Sequence, residues 1–253
     1  DTLLHLSELR TSLLSVRNLL ANTPDLGNTT AEGFTMNMKR YEGEESDNLS
    51  ILLEKLRTEP TGEKQNFELL VSDIYITNGY YSYVDENQEV PEIVVLEDLS
   101  FLGEDLQVIN DQLSVKINTL SAKEGRGLDI VHLKTQFSYS PTQMILEGLT
   151  LETPHSFIDA NIDLVYVVSD FADFLNKVEI TGNFENSFIS TNDLQLFYEP
   201  FGDDQILTIN SDIQGTLNDF VLEDLRLSGM DRTIMNGSVR IEGAFTEEMQ
   251  GFK

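Results

Sequence analysis

The sequence predicts an all-β protein with minor helix: an elongated, curved, mostly antiparallel sheet with short helices at its edges. Three observations predict it. Apolar and polar residues alternate with period two along most of the chain. Short turn signals separate the alternating runs. A Leu-Glu-(Asp/Gly)-Leu repeat breaks the alternation where a bulge would restore it.

The alternation is plainest in "HLKTQFSYSPTQMILEGLTLETPHS", residues 132–156. Leu133, Phe137 and Tyr139 share one parity, and His132, Lys134, Gln136 and Ser138 the other. Pro141 and Thr142 turn the chain, and Met144, Leu146, Leu149 and Leu151 resume the oily side. Such a pattern is that of a half-buried strand.

In chain order, strands are expected at 3–13, 30–41, 67–76, 79–85, 92–101, 105–109, 112–120, 128–139, 143–152, 157–167, 178–190, 193–199, 205–216, 219–228 and 233–245. The separating turns are "TNG", "GEDL", "EGRG", "SPT", "FGDD" and "SGMD". Connections this short imply antiparallel hairpins, and the lack of regularly alternating helices argues against a doubly wound α/β fold. Two segments read as helix. In "DNLSILLEKLR", Asn48 is the expected cap, Leu49, Leu52, Leu53 and Leu56 keep helical spacing, and Pro60 follows. In "SDFADFLNKV", Ser169 is the expected cap and Phe171, Phe174, Leu175 and Val178 share a face. Each would cover an end or edge of the sheet. "SLLSVRNLLAN" is ambiguous and is read as a strand followed by a helical turn.

"LEDLSF" at 96, "LEGLTL" at 146 and "LEDLRL" at 222 form an imperfect repeat. In a straight strand Leu146 and Leu149 would face opposite sides. A bulge at Glu147-Gly148 keeps them on one side and bends the strand, so three such sites predict a sheet folded along its length.

Composition narrows the functions. The chain has 253 residues, 40% of them hydrophobic, enough to bury a sizeable apolar area. Asp plus Glu number 44 against 16 for Lys plus Arg, a net charge of −28. That surface repels phosphate backbones, so nucleic acid is not an expected partner. It also opposes tight docking on anionic lipid headgroups. With no Cys, disulfides, thiolate metal sites and Cys nucleophiles are excluded. No apolar run reaches the ~18 residues of a membrane span. The chain opens on Asp1 rather than Met, which suggests a piece of a longer protein.

Catalytic signatures are missing: no G-x-S-x-G elbow, P-loop, G-x-G-x-x-G or H-E-x-x-H occurs. His5, His132 and His155 are dispersed and read as surface residues. Two acidic loops, "YEGEESDN" (41–48) and "DENQE" (85–89), carry carboxylates, but the second lacks the glycine and distal Glu of a calcium loop. Both read as solvated loops. No enzyme activity, cofactor or metal is expected.

A family resemblance adds to this. "YEGEESDNLSILLEKL", "SDIYITNGYYSYVDENQEVPE", "RGLDIVHLKTQFSYSPTQMILEGLTLETPHS", "DFADFLNKV" and "STNDLQLFYEPFG" resemble, in order, the TamB proteins of Bacteroidetes. TamB is the B subunit of the translocation and assembly module, within the AsmA-like group. The resemblance covers about residues 41–245, with a looser likeness over the first forty. It implies that 1–253 is one continuous stretch of a longer periplasmic protein, anchored in the inner membrane outside this stretch. It implies a β-taco, a repeating β-groove with a hydrophobic interior that reaches towards a TamA-like outer-membrane barrel. The implied function is phospholipid transport between the membranes, or assistance to outer-membrane protein assembly, with phospholipid acyl chains as cargo. It supplies no catalytic residues.

From the residues themselves, the candidate groove-lining positions are Leu113, Val115, Ile117, Leu133, Phe137, Met144, Leu146, Leu149, Leu151, Ile162, Leu164 and Tyr166. In a closed sandwich these would pack against each other; in an open trough they would face a lumen. A closed-core structural or adhesion module is therefore the alternative to a lipid conduit.

Overall fold

The structure is a computed structural model that describes residues 2–20, 23–57, 67–87, 92–125, 127–195, 204–229, 233–243 and 251–252. Strand accounts for 69% and helix for 11%, so the protein is all-β with minor helix. The chain divides into two compact units, Asp1–Asp129 and Ile130–Lys253.

The first unit contains β1 (Leu4–His5), β2 (Glu8–Leu13), α1 (Val16–Leu20), β3 (Asp25–Glu32), β4 (Thr35–Arg40), α2 (Asn48–Arg57), β5 (Glu68–Asp85), β6 (Glu92–Ile109) and β7 (Gln112–Glu124). β3 and β4 lie end to end along β5, with Asp25 opposite Leu70 and Arg40 opposite Asp85. Both run parallel to β5, contrary to the expectation of hairpins throughout. A parallel neighbour needs a crossover, and α2 lies on it. β2 pairs antiparallel with β3 and β1 with β4, and β5, β6 and β7 form an antiparallel meander. The ambiguous segment is a strand followed by a helical turn, β2 then α1.

The helix at 48–57 forms as its leucine spacing predicts, but the capping differs. Asp47, not Asn48, holds its first turn: the Ser50 N–H donates to Asp47 Oδ1 at 2.8 Å. Asn48 serves the sheet. Its side chain accepts from the Lys39 N–H at 3.0 Å and donates to the Asn37 carbonyl at 2.9 Å. The Asn37 N–H pairs with the Leu3 carbonyl on that same side of β4. Asn48 therefore continues the ladder where β1 ends and covers an open edge.

The second unit contains β8 (Ile130–Ser140), β9 (Gln143–Glu152), β10 (Phe157–Val165), a 3₁₀ turn (Val168–Asp173), α3 (Phe174–Lys177), β11 (Glu179–Ser190), α4 (Thr191–Leu194), β12 (Ile206–Thr216), β13 (Asp219–Gly229), β14 (Thr233–Glu242) and β15 (Gly251–Phe252). Each strand pairs antiparallel with the next. Ser169 is not the cap of the helical segment. Val167 occupies that place, and its N–H donates to Asp170 Oδ2 at 2.8 Å.

Two expected turns lie inside strands. "TNG" falls within β5 and "GEDL" within β6, so four expected strands are two long ones. Asn78 and Asp105 stand there at φ 52 and 53. A left-handed Asn or Asp supports a bulge as well as a turn, because its short polar side chain tolerates that conformation. The expected strand at 193–199 fails where it can be judged: Thr191–Leu194 is helical, with the Ser190 hydroxyl accepting the Asn192 N–H. Residues 196–199 lie outside those described.

Candidate functional site

The repeat forms the bulges expected of it. Asp98, Gly148 and Asp224, third in each copy, have φ 51, 59 and 49. The left-handed residue and the following leucine together face one residue of the preceding or following strand. Asp98 and Leu99 face Ala122, Gly148 and Leu149 face Thr135, and Asp224 and Leu225 face Ser211. Asn186, outside the repeat, makes a further site of this kind at φ 50 in β11. Gly148, Asn186 and Asp224 lie in the second unit, on β9, β11 and β13, every second strand.

These sites bring together a row of deeply buried residues, one from each strand. Thr135, Leu149, Ala160, Ser187, Ser211 and Leu225, one per strand from β8 to β13, are 0% to 5% exposed. Leucine supplies bulk, and small or hydroxylated residues let the strands close up. The hydroxyls are engaged by backbone: Thr135 Oγ1 donates to the Glu147 carbonyl at 3.0 Å, Ser211 Oγ to the Glu223 carbonyl at 2.8 Å, and Ser187 Oγ to the Asp159 carbonyl at 3.1 Å. On the opposite side, asparagines serve the bulges. The Gly148 N–H donates to Asn161 Oδ1 at 2.7 Å and the Asn186 N–H to Asn210 Oδ1 at 2.9 Å. This transverse row is a crease, since each bulge bends its strand.

On either side of the crease the same face remains apolar. Register sets Leu133 against Leu151, Phe137 against Leu146 and Tyr139 against Met144. β10 continues with Ile162 beside Leu146 and Leu164 beside Met144. By alternation the face extends through Ile180 and Phe184, Ile209 and Ile213, Leu222 and Leu227, to Met235, Val239 and Ile241. No charged residue from β8 to β14 falls on this parity. The acids fall on the other: Asp159 and Asp163, Glu179 and Glu185, Asp212, Glu223 and Glu242.

The candidate lining positions divide by burial. In the second unit Leu149 and Tyr166 are buried, whereas Leu133, Phe137, Met144, Leu146, Leu151, Ile162 and Leu164 are only half-buried. In the first unit Leu113 is half-buried, and Val115 and Ile117 are buried on β7. The positions expected from sequence end at Tyr166 and leave out the share of β11 to β14, although the third repeat and its alternation carry the same signal.

The two ends of the second unit's apolar face differ. At the β10–β11 connection, the Tyr166 ring lies 4.6 Å from that of Phe171, and Phe171 lies 6.0 Å from Phe174. The Tyr166 hydroxyl donates to the Ser140 carbonyl at 2.9 Å, and burial pushes its pKa up to about 12. Val178, between α3 and β11 and of the same parity as Ile180, is fully buried. Leu175, expected to pack with the two phenylalanines, is instead exposed, and its carbonyl accepts from the Asn218 N–H at 2.9 Å. The other end is polar. Asp193 Oδ2 accepts from the Thr153 hydroxyl at 2.6 Å and also from the Ser156 hydroxyl. Ser156 Oγ in turn accepts from the Ser190 N–H at 2.9 Å.

The first unit holds a buried ion pair where β4 and β5 end together, Arg40 Nη1 to Asp85 Oδ2 at 3.1 Å, with Arg40 Nε buried and unpartnered among the described residues. Asp85 is thus no solvated loop residue, which corrects that reading of "DENQE". Asn87 ties the two acidic loops together. It accepts from the Gly43 N–H at 2.8 Å and donates to the Glu44 carbonyl at 3.0 Å. Among the described residues, no three ligating side chains are grouped to hold a metal ion. No described helix is long and apolar enough to cross a membrane.

Comparison with protein-family models, with curated proteins and with solved structures finds no match to this chain.

Proposed function

We propose that the apolar face takes the acyl chains of phospholipids, and that the chain is part of a bridge-like periplasmic protein serving lipid transport and outer-membrane biogenesis. The observation that carries this reading is a charge-free face, seven strands wide, on which most residues away from the crease are only half-buried. Each CH₂ taken from water is worth about 0.8 kcal/mol, so an acyl chain in water costs on the order of 10 kcal/mol. A continuous apolar strip removes most of that barrier and needs no headgroup site. The acids of the other face keep such a surface soluble. The resemblance to TamB supplies the setting: an inner-membrane anchor outside this stretch and a TamA-like barrel as partner.

The test uses two neighbours on opposite faces, Leu146 and Glu147. Leu146→Arg places a charge in the path of an acyl chain, although the long side chain relieves part of the cost by reaching water. Glu147→Arg changes only the exposed face. Photo-crosslinking to phospholipid from each position, with an outer-membrane integrity assay at equal abundance, reads the outcome. Crosslinks from 146 alone, with a defect only in Leu146→Arg, are expected. Equal crosslinking from both, or full activity of a folded Leu146→Arg protein, overturns the reading and favours a closed-core module.

A further inference from the structure

The apolar face of the second unit has a wall at one end. The connection between β10 and β11 does not simply turn. It runs from Val165 through the 3₁₀ turn and α3, and is pinned to the β12–β13 turn by the Asn218 N–H on the Leu175 carbonyl and by Asn218 Nδ2 on Asn176 Oδ1 at 2.8 Å. It therefore passes the end of β11 to reach the end of β12. Tyr166 follows Leu164 in the same alternation on the apolar side and is 4% exposed; Phe171 lies tilted against its ring, and Phe174 stacks on Phe171.

We propose that Tyr166, Phe171 and Phe174 form an end wall that fixes the length of acyl chain the face accepts; this rests on the acyl-chain reading of that face. The spacing supports it. From the crease at Ala160 to Tyr166 is six residues of strand, about 20 Å. One leaflet of a bilayer is half of a ~30 Å hydrocarbon core, so a single acyl chain spans about 15 Å. One chain lying along the strands fits between crease and rings, with its methyl end against the aromatic stack. Tyr166 is fixed by its hydrogen bond to the Ser140 carbonyl, so the wall has a rigid base. Phe171 and Phe174 are half-buried and present their remaining surface to whatever meets them.

The experiment measures binding of saturated fatty acids of increasing chain length to the whole 253-residue chain. While each added methylene finds apolar surface, affinity climbs about fourfold per step. In the wild type the climb stops at the length where the chain end reaches the rings. Phe171→Ala with Phe174→Ala moves that break to longer chains. Phe174→Trp enlarges the wall and moves it to shorter ones, and this second variant keeps the test informative if the double truncation does not fold. An unbroken climb in the wild type, or the same break in folded variants, overturns the wall while leaving the acyl-chain reading intact. Absence of binding at every length by folded wild-type protein removes both.

Discussion

The crease and the flanks of the second unit belong to one face and one alternation, yet they are built differently. Along the crease, side chains are sealed: leucines from the bulged strands lock against Thr135, Ala160 and Ser211 from the straight ones, and the hydroxyls are consumed by backbone carbonyls. On the flanks, equally apolar residues such as Leu146, Ile162 and Leu227 stay half-exposed. If stability alone shaped this face, Leu146, Ile162 and Leu227 would be closed as fully, because each CH₂ withdrawn from water is worth about 0.8 kcal/mol. The difference separates a part that holds the fold from a part left available.

The largest expected effect tests that separation within one strand. Leu225→Ala removes a residue 2% exposed at the crease and should cost about 3 kcal/mol by denaturant unfolding. Leu227→Ala, two residues on and on the same face, should cost about 1 kcal/mol, because its side chain is only half-buried and leaves less of a cavity. Equal losses would mean that the flank is as tightly packed as the crease.

Next in size is a pH effect carried by two tyrosines outside the crease. Burial, with smaller contributions from Tyr83 and Asp47, pushes Tyr81 up to about 12; burial does the same to Tyr166. Both folded values exceed the ordinary tyrosine value of about 10, so the folded state holds its phenolic protons more tightly. Their contribution is complete below pH 10 and is lost as pH rises towards 12, on the order of 2 kcal/mol for each. Melting temperature followed across that window should fall, and should fall less in Tyr81→Phe or Tyr166→Phe. An unchanged slope in both variants would place these rings in water. Tyr81 reports on the first unit and Tyr166 on the aromatic end of the second.

The fold was legible where alternation alone decided it. The hairpin at Pro141-Thr142 and the bulges of the repeat follow from residue parity, because a leucine on the wrong parity must either leave the face or bulge. What stayed hidden depended on distant partners. Asn78 and Asp105 look alike in a bulge and in a turn, and only the neighbouring strand tells them apart. Asn48 resembles a helix cap until the bare edge of β4 is seen beside it. β3 and β4 joining β5 in parallel leave no local mark at all. The candidate face was legible as a pattern; its burial was not, since period-two alternation is the same in an open sheet and a closed one.

The smallest effect isolates the backbone device that makes the crease. Gly148 stands at φ 59, and a side chain added there would meet nothing within 4 Å, so space is not the constraint. Only the left-handed conformation is, and β-branched residues resist it while Asp and Asn tolerate it. The other two copies of the repeat place Asp98 and Asp224 at this position with φ 51 and 49. Gly148→Asp should therefore be nearly silent, within about 0.5 kcal/mol, and Gly148→Val should cost on the order of 1–2 kcal/mol. The contrast is between two residues in the same open space, so any gap reads backbone strain rather than packing. If Asp costs as much as Val, the three copies are not equivalent, and the second one owes its bend to the absence of a side chain.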